Sequence, residues 1–217
     1  VSPAPSVRPI AEQTRLRVAR ALLEAGAVSL TPEAPVTFKS GLRSPVYVDS
    51  RRLIFEPDHW HTVIAAFAAS LLDEEVLAGV EAAGIPHSSA LAFHTGRRSV
   101  FVRKATKDHG LGRRIEGGDV AGLRTVLIED MVTTGSSSLS AIEALREAGA
   151  QVVACLAIVT YGFIEAEQAF EAARIELATL TTFAALLEVA RASGRIDDAG
   201  AATIGAWLAD PHAWGAA

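Results

Sequence analysis

The chain has 217 residues, half of them apolar, with a formal net charge of -5 and an isoelectric point of about 5.7. A chain of that size can bury one substantial core, and its acidic balance excludes generic attraction to nucleic-acid phosphates or anionic lipid, so any anion must be bound locally. The single cysteine, Cys155, excludes an intramolecular disulfide and reads as a small core residue, and no apolar run approaches the roughly 18 residues of a membrane helix.

The first residues, Val1 to Pro5, offer no charged leader ahead of an apolar block, so a cytoplasmic location is expected. Ile10 to Ala25 then reads as an amphipathic helix, with Gly26 as its stop. Short extended pieces around Val36-Thr37-Phe38 and Val46-Tyr47-Val48 flank the turn-forming Lys39-Ser40-Gly41-Leu42-Arg43-Ser44-Pro45, which predicts a small N-terminal hood over residues ~28–50. From Asp58 the pattern becomes regular. It runs as a helix to about Leu72, a strand 76–80, a helix 85–93, a strand 99–102, a polar loop 103–118 and a strand 125–128. A helix 137–148, a strand 152–159 and a helix–strand–helix region 165–193 complete it. Strands that read as unbroken Val, Leu and Ile runs, alternating with helices, predict an α/β fold. Its parallel sheet carries helices on both faces, within a single domain 1–217.

The most informative segment passes from the apolar strand ending at Ile128 to two acids, Glu129 and Asp130, and then to the small polar turn Thr133-Thr134-Gly135-Ser136-Ser137. In an open parallel sheet, ligands collect beyond the carboxyl ends of strands, where these acids emerge. The turn can present backbone N–H groups and hydroxyls, and the following helix adds unsatisfied donors and a positive dipole end. That combination suits a monoester phosphate, with the acids facing ribose hydroxyls or a sugar carbon that becomes positive. A nucleoside triphosphate fits less well, because the turn lacks the Lys of a P-loop, and no G-x-G-x-x-G opens a helix after a strand.

Val126 to Ser137 resembles the phosphoribosyl diphosphate signature of type I phosphoribosyltransferases: an apolar strand, two acids, two variable residues, then Thr-Thr-Gly-Ser. Two further stretches are similar to the orotate branch. Phe38 to Asp49 resembles its base-binding segment, and Val102 to Gly110 looks like its catalytic loop. Residues 103–118 carry +3, leaving -8 for the rest of the chain. Such a basic stretch among glycines suits closure over a diphosphate. The resemblance implies transfer of ribose 5-phosphate from 5-phosphoribosyl 1-diphosphate (PRPP) to orotate, through a transition state like an oxocarbenium ion. Glu129, Asp130, Thr133, Thr134, Gly135, Ser136 and Ser137 would hold PRPP, together with Arg103, Lys104, Lys107 and His109. Lys107, Asp130, Arg103 and His109 would carry catalysis, and Lys39, Tyr47, Val48, Thr133 and Tyr161 would hold orotate. It also implies Mg²⁺ held mainly through PRPP, and a homodimer whose 103–118 loop reaches the partner's site, with neither nucleic acid nor membrane as partner.

Two positions depart from that branch. Some orotate enzymes have Tyr-Lys before Gly84-Ile85-Pro86, where this chain has Ala82-Ala83. Many have an Arg after the strand ending at Val159, where this chain reads Thr160-Tyr161-Gly162-Phe163 and an aromatic contact from Tyr161 or Phe163 is expected instead. The alternatives are transfer to another nucleobase, or a non-catalytic PRPP sensor of the same fold, against which the Lys107 loop argues. His59 and His61 diverge on a helix and read as surface or capping residues. Trp207 and Trp214 are expected to pack against the body or a partner.

Overall fold

The computed structural model describes residues 6–37, 43–104 and 114–214. Helix α1 (Glu12–Glu24) buries Val18, Leu22 and Leu23. It stops where Gly26 takes a φ of +64°, which lets the Ala27 amide reach back to the Leu22 carbonyl at 2.9 Å. Four short strands follow: β1 (Val28–Leu30), β2 (Val36–Thr37), β3 (Arg43–Ser44) and β4 (Val46–Val48). β1 pairs with β4 and β2 with β3, both antiparallel, and together they form the hood. A 3-10 turn (Ser50–Phe55) then leads into α2 (Pro57–Ser70), where Pro57 occupies a first-turn position that needs no N–H.

The chain continues as β5 (Val76–Val80), α3 (Gly84–Thr95), β6 (Arg98–Val102), β7 (Ile115–Glu116), β8 (Arg124–Val132), α4 (Ser136–Glu147) and β9 (Gln151–Thr160). It ends with α5 (Ile164–Ala172), β10 (Glu176–Thr182), α6 (Phe183–Ala192) and α7 (Asp198–Ala209). The main sheet has the order β10-β9-β8-β5-β6-β7, parallel throughout except for β7. Its strands alternate between two cores. Val126, Ile128, Leu156 and Ile158 face α1, α2 and α6, while Leu127, Cys155 and Ala157 face α4 and α5. Burial on both faces is why these strands lack a polar side, and it places Cys155 out of contact with solvent.

Two boundaries differ from the expectation. β8 does not stop at Ile128. Pairing with β9 continues through Met131 opposite Val159 and Val132 opposite Thr160, so the strand runs past Glu129 and Asp130 to Val132. Helix α7 lies beyond the anticipated elements. Its segment is rich in Ala and Gly and shows no strong apolar period, and the stripe Gly200, Ile204, Trp207 becomes visible only once packed.

Strand order fixes where a ligand can bind. From β5 the chain steps to β6 on one side and then returns to β8 on the other, so a crevice opens between the carboxyl ends of β5 and β8. Gly84, the first residue of α3, lets that helix press on the crevice wall. A Cβ there would lie 2.7 Å from the Ile128 carbonyl oxygen and 3.6 Å from the Glu129 Cα. Gly84→Ala is therefore expected to destabilise the fold by about 1–3 kcal/mol, because the obstructing atom is backbone that cannot swing aside. Urea denaturation checks this, and an unchanged midpoint would contradict the close approach.

Candidate active site

Between the ends of β5 and β8 lies a cleft of about 260 Å³. Glu129, Asp130 and Met131 form one wall and Glu81, Ala82 and Ala83 another; Val48, Asp49 and Arg51 approach from the hood side, and Lys104 and Ser137 close the rim. A second cleft of about 240 Å³ shares Val80, Lys104 and Ser137 with the first and adds Arg103, Arg114, Ser136 and Ser140. The two form an acidic floor beside a basic and hydroxyl-rich rim.

The floor is made of two acids with different surroundings. Glu129 is buried; its carboxylate accepts from the Ser138 hydroxyl at 3.1 Å and from the Asp130 amide at 3.1 Å. Burial above all, and then the neighbouring Asp130 carboxylate, push the Glu129 carboxyl up to about 8, so it is largely protonated at neutral pH. Asp130 is half-exposed and accepts from the Ser50 hydroxyl in the 3-10 turn, a contact that ties the hood's end to β8. Behind them His87 is buried, with its Nδ1 accepting from the Trp60 indole N–H at 3.0 Å. Burial drives His87 down to about 4 against the opposing pull of Asp130, leaving a neutral imidazole whose proton sits on Nε2.

The turn after β8 leads directly into a helix start with unpaired donors. Gly135 adopts a φ of +83°, and a Cβ there would stand 2.7 Å from a ring carbon of Phe170, so both conformation and space require glycine. α4 starts immediately afterwards. Its cap carries no side-chain hydrogen bond, and its first internal bond runs from Leu139 N–H to the Gly135 carbonyl at 2.9 Å. The amides of Ser136, Ser137 and Ser138 are thus first-turn donors without helical acceptors, and Thr134, Ser136 and Ser137 are exposed beside them.

On the rim, the Lys104 amide donates to the Glu81 carboxylate at 2.9 Å, and Arg103 pairs with Glu116 at 3.3 Å. Arg114 donates to the Arg103 carbonyl and to Ser140.

The structure brings Val48, Arg103, Lys104, Glu129, Asp130, Ser136 and Ser137 to these two clefts, with Thr133, Thr134 and Gly135 in the adjoining turn. Tyr47 is exposed on β4. Lys39, Lys107 and His109 lie outside the described residues. Tyr161 is placed otherwise than anticipated. Its ring is buried and stacked between Phe163 and Phe183, at centroid distances of 5.4 and 5.0 Å, so it is not free to stack on a base, and the same holds for Phe163. An aromatic side chain after a strand end satisfies core packing first. Sequence reasoning missed Ser50 and Arg51. The Asp49-x-Arg51 spacing was the available signal, since the Arg51 Nε donates to Asp49 at 2.6 Å and lowers that carboxyl's affinity for protons.

The phosphoribosyl transferase domain model matches residues 58–181. The chain is 40% identical to an orotate phosphoribosyltransferase of Cutibacterium acnes over 201 residues, covering 90% of this chain and 93% of that protein. Among solved structures, orotate phosphoribosyltransferase from Aeropyrum pernix superimposes with a TM-score of 0.70 at 28% identity, covering 83% of this chain and 99% of that one. The Mycobacterium tuberculosis orotate phosphoribosyltransferase in complex with 5-phospho-α-D-ribosyl 1-diphosphate gives 0.63 at 26%, covering 80% and 98%.

The buried acid makes stability depend on pH. A carboxyl whose folded value is raised stabilises fully below its unfolded value, 4.5, and that contribution is lost as pH rises through about 8. Glu129→Gln, which mimics the protonated acid, is expected to flatten the fall in Tm between pH 5 and 8. Parallel Tm–pH curves for the two proteins would remove Glu129 as the source.

Proposed function

We propose that this chain, which belongs to the phosphoribosyl transferase domain family and within it to the orotate phosphoribosyltransferases, moves ribose 5-phosphate from PRPP to orotate. The products are orotidine 5'-monophosphate and diphosphate, as in pyrimidine nucleotide synthesis. The observation that carries the reading is the glycine turn and uncapped start of α4 beside the Glu129–Asp130 pair, set at the point where strand order reverses.

In this reaction the bond from the anomeric carbon to diphosphate breaks, a bond from a ring nitrogen of orotate forms with inversion, and the ring nitrogen gives up its proton. The sugar becomes positive as the leaving group departs. The residues divide by charge accordingly. Backbone amides of the α4 first turn, with Thr133, Thr134, Gly135, Ser136 and Ser137, hold the 5-phosphate. Asp130, oriented by Ser50, faces the ribose hydroxyls, where its negative charge stabilises the developing cation, and Glu129 faces them as a neutral hydrogen-bonding acid. Arg103, Lys104, Lys107 and His109 neutralise the diphosphate, and Lys39, Tyr47, Val48 and Thr133 face the base. Arg51, on the hood flank of the same cleft, adds a cation near the anionic ring.

The donor set also suits Mg²⁺. Hard carboxylate oxygens stand beside a rim that receives a diphosphate, although among the described residues no group of three or more His, Cys, Asp or Glu forms a metal cage. The ion would travel mainly with PRPP, and when bound it supplies charge neutralisation to the leaving diphosphate. The reading includes a homodimer in which residues 103–118 of one copy reach the other's site, acting in the cytoplasm. No helix among the described residues is long and apolar enough to cross a membrane.

An absorbance assay against orotate, uracil, adenine and hypoxanthine tests the acceptor. Turnover of orotate alone is expected, and turnover of adenine without orotate would overturn the assignment. Asp130→Asn is expected to lower kcat by about 10²–10³-fold with Tm unchanged, since it removes charge where the cation forms. Full activity in that variant would take Asp130 out of the chemistry.

A further inference from the structure

We propose that Trp207, on the last helix, is a positioning residue that fixes the hood over the acceptor side of the cleft. The inference rests on the reading of the hood as the base-binding flank. Among the described residues the hood's own strand pairing is short. β2 and β3 are two residues each, and β1 and β4 three, too short for independent stability. It therefore needs an anchor in the body of the protein.

Trp207 provides one. It is completely buried, and its indole N–H donates to the main-chain carbonyl of Arg43 in β3 at 2.9 Å, across 164 residues of sequence. Its ring meets Tyr161 and Phe163 edge-on, at 5.4 and 5.7 Å. Tyr161 in turn follows Thr160, whose hydroxyl donates to the Val132 carbonyl at 3.2 Å, immediately before the phosphate turn. One aromatic cluster thus joins the frame of the donor side to the frame of the hood. α7 also touches the hood at a second place. A Cβ on Gly200 would lie 2.8 Å from Ile196 and 3.1 Å from Pro32, the latter between β1 and β2.

From Arg43 the constraint passes on along the chain. The Ser44 hydroxyl donates to the Val46 carbonyl at 2.7 Å and accepts from the Val46 amide at 3.2 Å, which locks β3 to β4. Tyr47 and Val48 follow directly, one exposed and the other lining the cleft. Because the acceptor at Arg43 is backbone, the identity of that residue matters little. Only a donor at 207 can make the bond, and phenylalanine deletes it while keeping an aromatic ring, of smaller volume, at the position.

The test is Trp207→Phe in the full chain. The KM for orotate is expected to rise about five- to twentyfold, with KM for PRPP and kcat within about twofold, since one hydrogen bond to the hood is lost and nothing touches the donor. Amide hydrogen exchange should quicken in β2, β3 and β4 while β8 and β9 stay protected. An unchanged orotate KM with unchanged exchange in the hood would overturn the proposal, as would equal losses for both substrates. If Trp207→Phe fails to fold, Gly200→Ala, whose added methyl crowds both Ile196 and Pro32 where α7 meets the hood, must give the same split in KM. Tyr47→Ala separates the two claims. No change in its orotate KM would mean the hood is not the base flank, whereas a raised KM there with Trp207→Phe unaffected would sink only the anchoring role.

Discussion

Two carboxylates stand next to each other at the end of a central strand, and the bonds described to them come from hydroxyls and an amide. Ser138 on α4, Ser50 in the 3-10 turn and the Asp130 N–H supply them. Placing two like charges there opposes burial, and the conflict is settled by keeping a proton on the inner one. The arrangement divides the pair into a neutral acid within the protein and a half-exposed carboxylate facing the cleft. It also obliges α4, the hood's end and β8 to meet at one place, because each contributes a partner.

Close approach of backbone makes that meeting possible. α3 presses on β8 at Gly84, and the turn before α4 tucks against Phe170 at Gly135. Both glycines thus belong to the geometry of the crevice as much as to local flexibility. The walls they permit are main chain, and the first-turn amides of α4 stand beside them.

Much of this was legible in the sequence. The unbroken apolar strands gave the parallel sheet and its two-sided burial, and the Glu129–Asp130 pair with its small-residue turn located the crevice, because strand ends and helix starts are local features. What could not be read depended on distant contacts. The strand ran past Ile128 because β9 offered partners as far as Thr160. Tyr161 looked available to a base and is sealed among Phe163, Phe183 and Trp207, which are up to 46 residues away in sequence. Helix α7 has little periodicity of its own, and its place in the fold follows from a tryptophan that finds a carbonyl in the hood. Ser50 and Arg51 sit in a short 3-10 turn whose Asp49-x-Arg51 spacing signals a local pair but not the contact of Ser50 with Asp130 on β8.

The pairing of β6 with β7 has a consequence for chain length. The Arg103 amide bonds to the Arg114 carbonyl at 2.8 Å, and the Arg114 side chain returns to the Arg103 carbonyl at 3.0 Å, so the two ends of the intervening stretch are stapled together at the sheet's edge. Closing a ring of chain costs entropy that grows only with the logarithm of its length, by about 0.6 kcal/mol per doubling. Insertions or deletions between those two arginines are thereby insulated from the sheet.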